Sequence, residues 1–131
     1  MRRTVLLFVT VVVAMVLASG VALAATFNGN NLDNRIVGTD NPDTMRGFGG
    51  ADLMYGRGGR DLMYGGDGRD KMYGGSGADK VYAGAANDYV SVINDNSGDY
   101  VNCGRGEDTV NEQAGNQGPD DVYVHCEHFA R

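Results

Sequence analysis

GRGGRDLMYGGDGRDKMYGGSGADKVY, residues 56–82, is one nine-residue phrase written three times. Gly opens each phrase. Asp stands sixth (Asp61, Asp70, Asp79), an apolar residue eighth (Met63, Met72, Val81) and Tyr ninth (Tyr64, Tyr73, Tyr82). A six-residue Gly-rich turn followed by a three-residue strand makes half a coil, and two halves return the chain above its own start. Strands stacked this way lie about 4.8 Å apart and hydrogen-bond to the coils on either side. The middle residue of each strand points inward and its neighbours point out, so each unit needs one apolar residue. The glycines supply the positive φ and close backbone approach that tight turns demand.

The period runs outward in both directions. Upstream stand GFGGADLMY (47–55), GTDNPDTMR (38–46) and GNNLDNRIV (29–37), the last with Asn34 in the Asp place. Downstream stands AGAANDYVS (83–91); two extra residues, Val92 and Ile93, then precede NDNSGDYVN (94–102) and CGRGEDTVN (103–111). Three more, Glu112 to Ala114, precede GNQGPDDVY (115–123). Position six is therefore Asp43, Asp52, Asp61, Asp70, Asp79, Asp88, Asp99, Asp108 and Asp120. Position eight runs Ile36, Met45, Met54, Met63, Met72, Val81, Val90, Val101, Val110 and Val122. Turn propensity favours Gly and Asp but does not require a strict nine-residue Asp period. The reading is an all-β parallel β-roll, or β-solenoid, of about ten units, two per coil.

The unit GGSGADKVY (74–82) fits the pattern G-G-x-G-x-D-x-U-x at every specified place, and GGDGRDKMY (65–73) fits it with Met as the apolar residue. On these units the sequence resembles the RTX, or haemolysin-type, calcium-binding repeat proteins, over residues 29–123. The resemblance implies several calcium ions, each between turns one full coil apart and held by position-six carboxylates and turn carbonyls. By position it pairs Asp43 with Asp61, Asp52 with Asp70, Asp61 with Asp79 and Asp70 with Asp88. Asp79 pairs with Asp99, and Asp88 with Asp108, with Val92-Ile93 bulging out to keep register. The carbonyls it implies are those of Gly56, Gly58, Gly65, Gly66, Gly68, Gly74, Gly75 and Gly77. Asn41 and Pro42, and Ala83, Ala85 and Ala86, depart from the glycine pattern. Asp120 has no further coil to face.

Electrostatics points the same way. Unit charges about 5 Å apart repel by about 1 kcal/mol even in bulk water. An Asp column 18 residues apart stacks such pairs, and a cation between turns reverses the sign. Calcium suits the donors, because it takes six to eight oxygens, carboxylate and carbonyl, in flexible geometry, whereas magnesium holds its waters and a stricter octahedron.

Residues 1–24 read as a secretory signal peptide. Arg2 and Arg3 lead an apolar run from Val5 to Leu17, and Ala22-Leu23-Ala24 is a small-x-small cleavage pattern. An uncleaved anchor helix is the alternative, since Val5 to Ala25 is about long enough to span a bilayer. Cleavage predicts a secreted, extracellular or cell-envelope location with no stable membrane insertion. It also removes 18 apolar residues and moves the formal net charge from -6 to -8. The remainder is too poor in Leu, Ile, Val and Phe for an ordinary globular core. An acidic chain excludes nucleic acid as a partner. Residues 25–28 form a short lead and 124–131 a C-terminal cap.

Tyr55, Tyr64, Tyr73 and Tyr82 face outward as two stacked pairs. They read as cross-strand ladder contacts, or alternatively as a strip for a glycan or cell-surface partner in an envelope adhesin that uses calcium only as cement. A calcium-independent solenoid of ice-binding type lacks the outward Thr ladder it needs here. The inward Met run is core filler rather than a copper site. Cys103 and Cys126 lie one coil plus two residues apart once the insertion is subtracted, so a disulfide clips the last coil and caps the solenoid. His125, Glu127 and His128 read as a polar tail around it. No G-x-S-x-G, H-E-x-x-H or P-loop occurs, so no enzymatic activity is expected. The protease, lipase and toxin domains that often accompany such repeats have no counterpart here.

Overall fold

The computed structural model describes residues 23–92, 97–112 and 120–130. Residues 1–22 of the segment read as a signal peptide, and Ile93, lie outside them. Among the described residues, twelve short strands follow one another: β1 (Thr26–Asn28), β2 (Arg35–Val37), β3 (Thr44–Gly49), β4 (Leu53–Tyr55), β5 (Leu62–Asp67), β6 (Lys71–Tyr73), β7 (Lys80–Ala85), β8 (Tyr89–Val92), β9 (Tyr100–Arg105), β10 (Thr109–Glu112), β11 (Val122–Val124) and β12 (His128–Ala130). Odd strands form one six-stranded sheet and even strands another, with every pairing parallel. The chain is a parallel β-solenoid that visits each sheet once per coil. Among the described residues no helix is long and apolar enough to cross a membrane.

The nine-residue period sets this register. Met45 pairs with Met63 and Met63 with Val81 in one sheet. Met54 pairs with Met72 and Met72 with Val90 in the other. These residues, with Val101 and Val110, are fully buried. One such side chain is worth roughly 1.5–3 kcal/mol on burial, so the core is two narrow columns facing each other between the sheets. Strands β1 and β12 stand in the segments read as lead and cap, and each adds an outer strand to its sheet.

Two local features depart from the reading of the period. The odd strands β3, β5, β7 and β9 are six residues long rather than three. Their ladders continue through the start of the next unit, where Phe48, Gly66, Gly84 and Gly104 are in register. Position one of those units therefore also points inward, and only small residues stand there: Gly47, Gly65, Ala83 and Cys103, all buried. Second, Val92 does not bulge out. It stays in β8 opposite Glu112 and packs into the core at 3% exposure. An apolar side chain fits the inward position-one slot better than it fits water, so the ladder keeps it.

Candidate metal centre

Each position-six Asp ends a turn and immediately precedes a strand. Asp43, Asp61, Asp79 and Asp99 precede β3, β5, β7 and β9, while Asp52, Asp70, Asp88 and Asp108 precede β4, β6, β8 and β10. All eight are buried. They form two columns, one along the edge of each sheet, and every expected pair meets at one coil's spacing.

The contact within a pair has a repeated form. The backbone N–H of each Asp donates to Oδ1 of the Asp one coil on: Asp43 to Asp61, Asp52 to Asp70, Asp70 to Asp88 and Asp88 to Asp108 at 2.8 Å, and Asp61 to Asp79 at 2.9 Å. Asp79 donates likewise to Asp99 at 2.8 Å. The backbone carbonyl of each Asp accepts from the first strand residue of that next coil, as Asp61 does from Lys80 and Asp70 from Tyr89. One carboxylate oxygen thus substitutes for a backbone acceptor and carries the ladder across the turn.

The other oxygen is left over. Oδ2 of Asp52, Asp61, Asp70, Asp88 and Asp108 is buried with no hydrogen-bond donor. An unsatisfied buried carboxylate is costly. Burial is the largest cause pushing these groups up, followed by an opposing backbone hydrogen bond: Asp61 and Asp70 rise to about 6 and Asp88 to about 7. Asp52 and Asp108 are raised for the same first reason. The Asp one coil earlier adds repulsion at Asp61, Asp70 and Asp88.

Backbone carbonyls from the next coil approach the same place. A Cβ placed on Gly56 would meet both Asp61 Oδ2 and the carbonyl oxygen of Gly74. On Gly47 it would meet Asp52 Oδ2 and Gly65 O, and on Gly65 it would meet Asp70 Oδ2 and Ala83 O. Gly56 O stands in the same relation to Gly38 and Asp43 Oδ2, at 2.7 and 2.9 Å from the Cβ position. At Asp52, Asp61 and Asp70, carboxylate and carbonyl oxygens from successive coils therefore converge with no hydrogen-bond donor to Oδ2. Among the described residues no three acidic, thiol or imidazole side chains gather at one point, so backbone carbonyls have to complete any cation site. This donor set is all oxygen and suits a hard cation.

The ends of the columns differ. Asp43 is already saturated: Oδ2 accepts from the Thr39 N–H at 2.6 Å and the Thr39 hydroxyl at 2.9 Å, and Oδ1 accepts from the Ala25 N–H at 3.0 Å. Before Asp52 the column ends in a neutral amide, since Asn34 donates its N–H to Asp52 Oδ1 and accepts from the Asn30 N–H. At the far end the position-six place belongs to Asp121, not Asp120. Asp121 Oδ1 accepts the Asp99 N–H at 2.9 Å, Tyr123 rather than Val122 pairs with Val101, and Val122 is 47% exposed. The larger ring fills the column better, and the Asp120-Asp121 doublet permits a slip of one residue that keeps a carboxylate in place. Glu127 closes the other column, with Oε2 accepting the Asp108 N–H at 3.1 Å. Glu127 and Phe129 repeat the acid-x-apolar spacing, a signal in the sequence that places both in register.

Cys103 and Cys126 are joined, with Cα atoms 5.2 Å apart. The tyrosines stack on one another: Tyr55 on Tyr73 at 4.9 Å and 9°, Tyr64 on Tyr82 at 5.2 Å and 12°. Arg35 and Arg46 lie over the first ring of each stack.

The family model described as RTX calcium-binding nonapeptide repeat (4 copies) matches residues 28–63 and again 64–91. The chain belongs to the RTX calcium-binding repeat family. No curated protein and no solved structure matches it. The matched span of this RTX chain holds Asp52, Asp61, Asp70 and Asp88, all with orphaned Oδ2 atoms, so the calcium-binding repeats coincide with the unsatisfied oxygens.

Proposed function

We propose that this calcium-binding repeat protein is a secreted, non-enzymatic module whose β-roll folds when Ca2+ enters between successive coils. The observation that carries the reading is the row of buried, donorless Oδ2 atoms beside carbonyls of the next coil. The ligands are Asp52, Asp61, Asp70, Asp79, Asp88, Asp99 and Asp108, with carbonyls of the glycine turns, Gly65 and Gly74 foremost. The remaining implied carbonyls, of Gly56, Gly58, Gly66, Gly68, Gly75 and Gly77, lie in the same turns. Asp43, satisfied by Thr39 and Ala25, serves as the N-terminal cap of its column rather than as a full ligand.

The coupling to folding follows from topology. The oxygens of one site belong to residues 18 or more apart, so the unfolded chain offers no assembled site and the free energy of binding becomes free energy of folding. Calcium supplies the positive charge that the stacked carboxylates lack. A chain of this kind stays open where calcium is scarce and closes where it is abundant, which fits export behind the 1–24 signal. The stacked tyrosines favour ladder stabilisation over an adhesive strip, because each stack turns its ring faces onto one another and leaves edges outward.

The test is far-UV circular dichroism of residues 25–131 during a calcium titration from excess chelator, with magnesium as control. A cooperative coil-to-β change with calcium alone supports the reading. A full β spectrum in chelator overturns it.

A further inference from the structure

The outer faces of the roll carry the tyrosine ladders, which the metal columns do not use. Tyr55 and Tyr73 are register partners on neighbouring strands β4 and β6, and Tyr64 and Tyr82 on β5 and β7. Their rings lie nearly parallel, at 4.9 and 5.2 Å between centroids. Tyr64 is 37% exposed. The next contacts along each ladder are of another kind: Tyr73 with Tyr89 at 6.0 Å and 54°, and Tyr82 with Tyr100 at 5.7 Å and 49°.

We propose that Tyr55–Tyr73 and Tyr64–Tyr82 are oxidative modification sites, each pair closing to a dityrosine staple between neighbouring coils under a peroxidase with hydrogen peroxide. Each phenol gives up one electron and its hydroxyl proton. The two phenoxyl radicals join through ring carbons ortho to the oxygens. The hydrogens on the joined carbons then move to the phenolic oxygens, which restores both aromatic rings. Hydrogen peroxide takes the two electrons and two protons and leaves as two waters, so the product is two hydrogens lighter per link.

The rest of the chain directs oxidation to these rings. The sequence has no Trp. Among the described residues no cysteine is free, and Met45, Met54, Met63 and Met72 have no exposed surface. Tyrosine is then the accessible side chain that yields an electron most readily. Adjacent parallel strands hold the two Cα atoms about 4.8 Å apart, so radicals formed on a stacked pair meet at once, without diffusion. Each staple closes an 18-residue loop, as a disulfide does, and ties coils together without any ion.

The test treats the folded, dilute protein with peroxidase and hydrogen peroxide, isolates the monomer, reduces the Cys103–Cys126 disulfide and maps the tryptic peptides by mass. The expected result is peptide 47–57 joined to 72–80 and peptide 61–69 joined to 81–105, each pair two hydrogens lighter than its sum. Within 81–105, fragmentation should place the link on Tyr82. Tyr73→Phe, which keeps a stacking ring but forms no phenoxyl, loses the first link and keeps the second; Tyr82→Phe does the reverse. Circular dichroism run alongside confirms that the variants and the parent are equally folded, so loss of a link is not loss of the roll. Links confined to intermolecular dimers overturn the proposal, as do links to Tyr89 or Tyr100 as abundant as those between stacked rings, or methionine oxidation with no link at all.

Discussion

Acid should fold the ion-free roll. The perturbation is pH, in a chain stripped of divalent cations. Burial raises Asp61 and Asp70 to about 6 and Asp88 to about 7, from an ordinary 3.8. A raised carboxyl favours its neutral form in the fold. Its contribution is fully present below the unfolded pKa and is lost as pH rises through the folded one, here between about 4 and 7. At 1.36 kcal/mol per unit, these three groups together disfavour the ion-free fold above pH 7 by about 10 kcal/mol. A domain's whole stability is only about 5–15 kcal/mol. The ion-free chain should therefore be open at about pH 8 and gain β structure steadily down to about pH 5. That lower limit stays above the isoelectric point of about 4.6, where self-association would confuse the signal. Far-UV circular dichroism reads the transition, and calcium at pH 8 should reproduce the acid spectrum. Equal β content in the ion-free chain at pH 8 and pH 5 would show instead that the buried carboxylates cost nothing.

Further outcomes follow from single sites. Asp70→Asn keeps an Oδ1 acceptor for the Asp52 N–H but removes the charge; it should stabilise the ion-free roll at neutral pH by about 3 kcal/mol and lower the calcium stoichiometry measured by calorimetry. Met63→Ala empties a fully buried slot and should cost about 2–5 kcal/mol in chemical denaturation of the calcium form. Phe48 and Arg57 hold φ of 78° and 79°, where side chains are strained, so Phe48→Gly and Arg57→Gly should each raise stability by about 1 kcal/mol. Reducing the Cys103–Cys126 disulfide reopens a long loop and should cost roughly 3 kcal/mol in the thermal unfolding of the calcium-loaded protein.

The repeat alone dictates the coil. A strict period of nine, with Asp sixth and an apolar residue eighth, admits few chain paths that bury every apolar residue and stack every strand. The roll, its inward Met and Val columns, the two Asp columns and the stacked tyrosines were all legible for that reason. What the period could not determine is which atom of each Asp does which task. Only the tertiary structure divides the carboxylate, giving Oδ1 to the N–H of the coil before and leaving Oδ2 buried beside a carbonyl of the coil after. It also decided the ends, where the repeat decays and local fit takes over. Thr39 satisfies Asp43, Asn34 closes a column without charge, and Tyr123 fills the core so that Asp121 displaces Asp120. A period constrains a residue only as strongly as the coils on both sides of it, and a terminal residue has one neighbour instead of two.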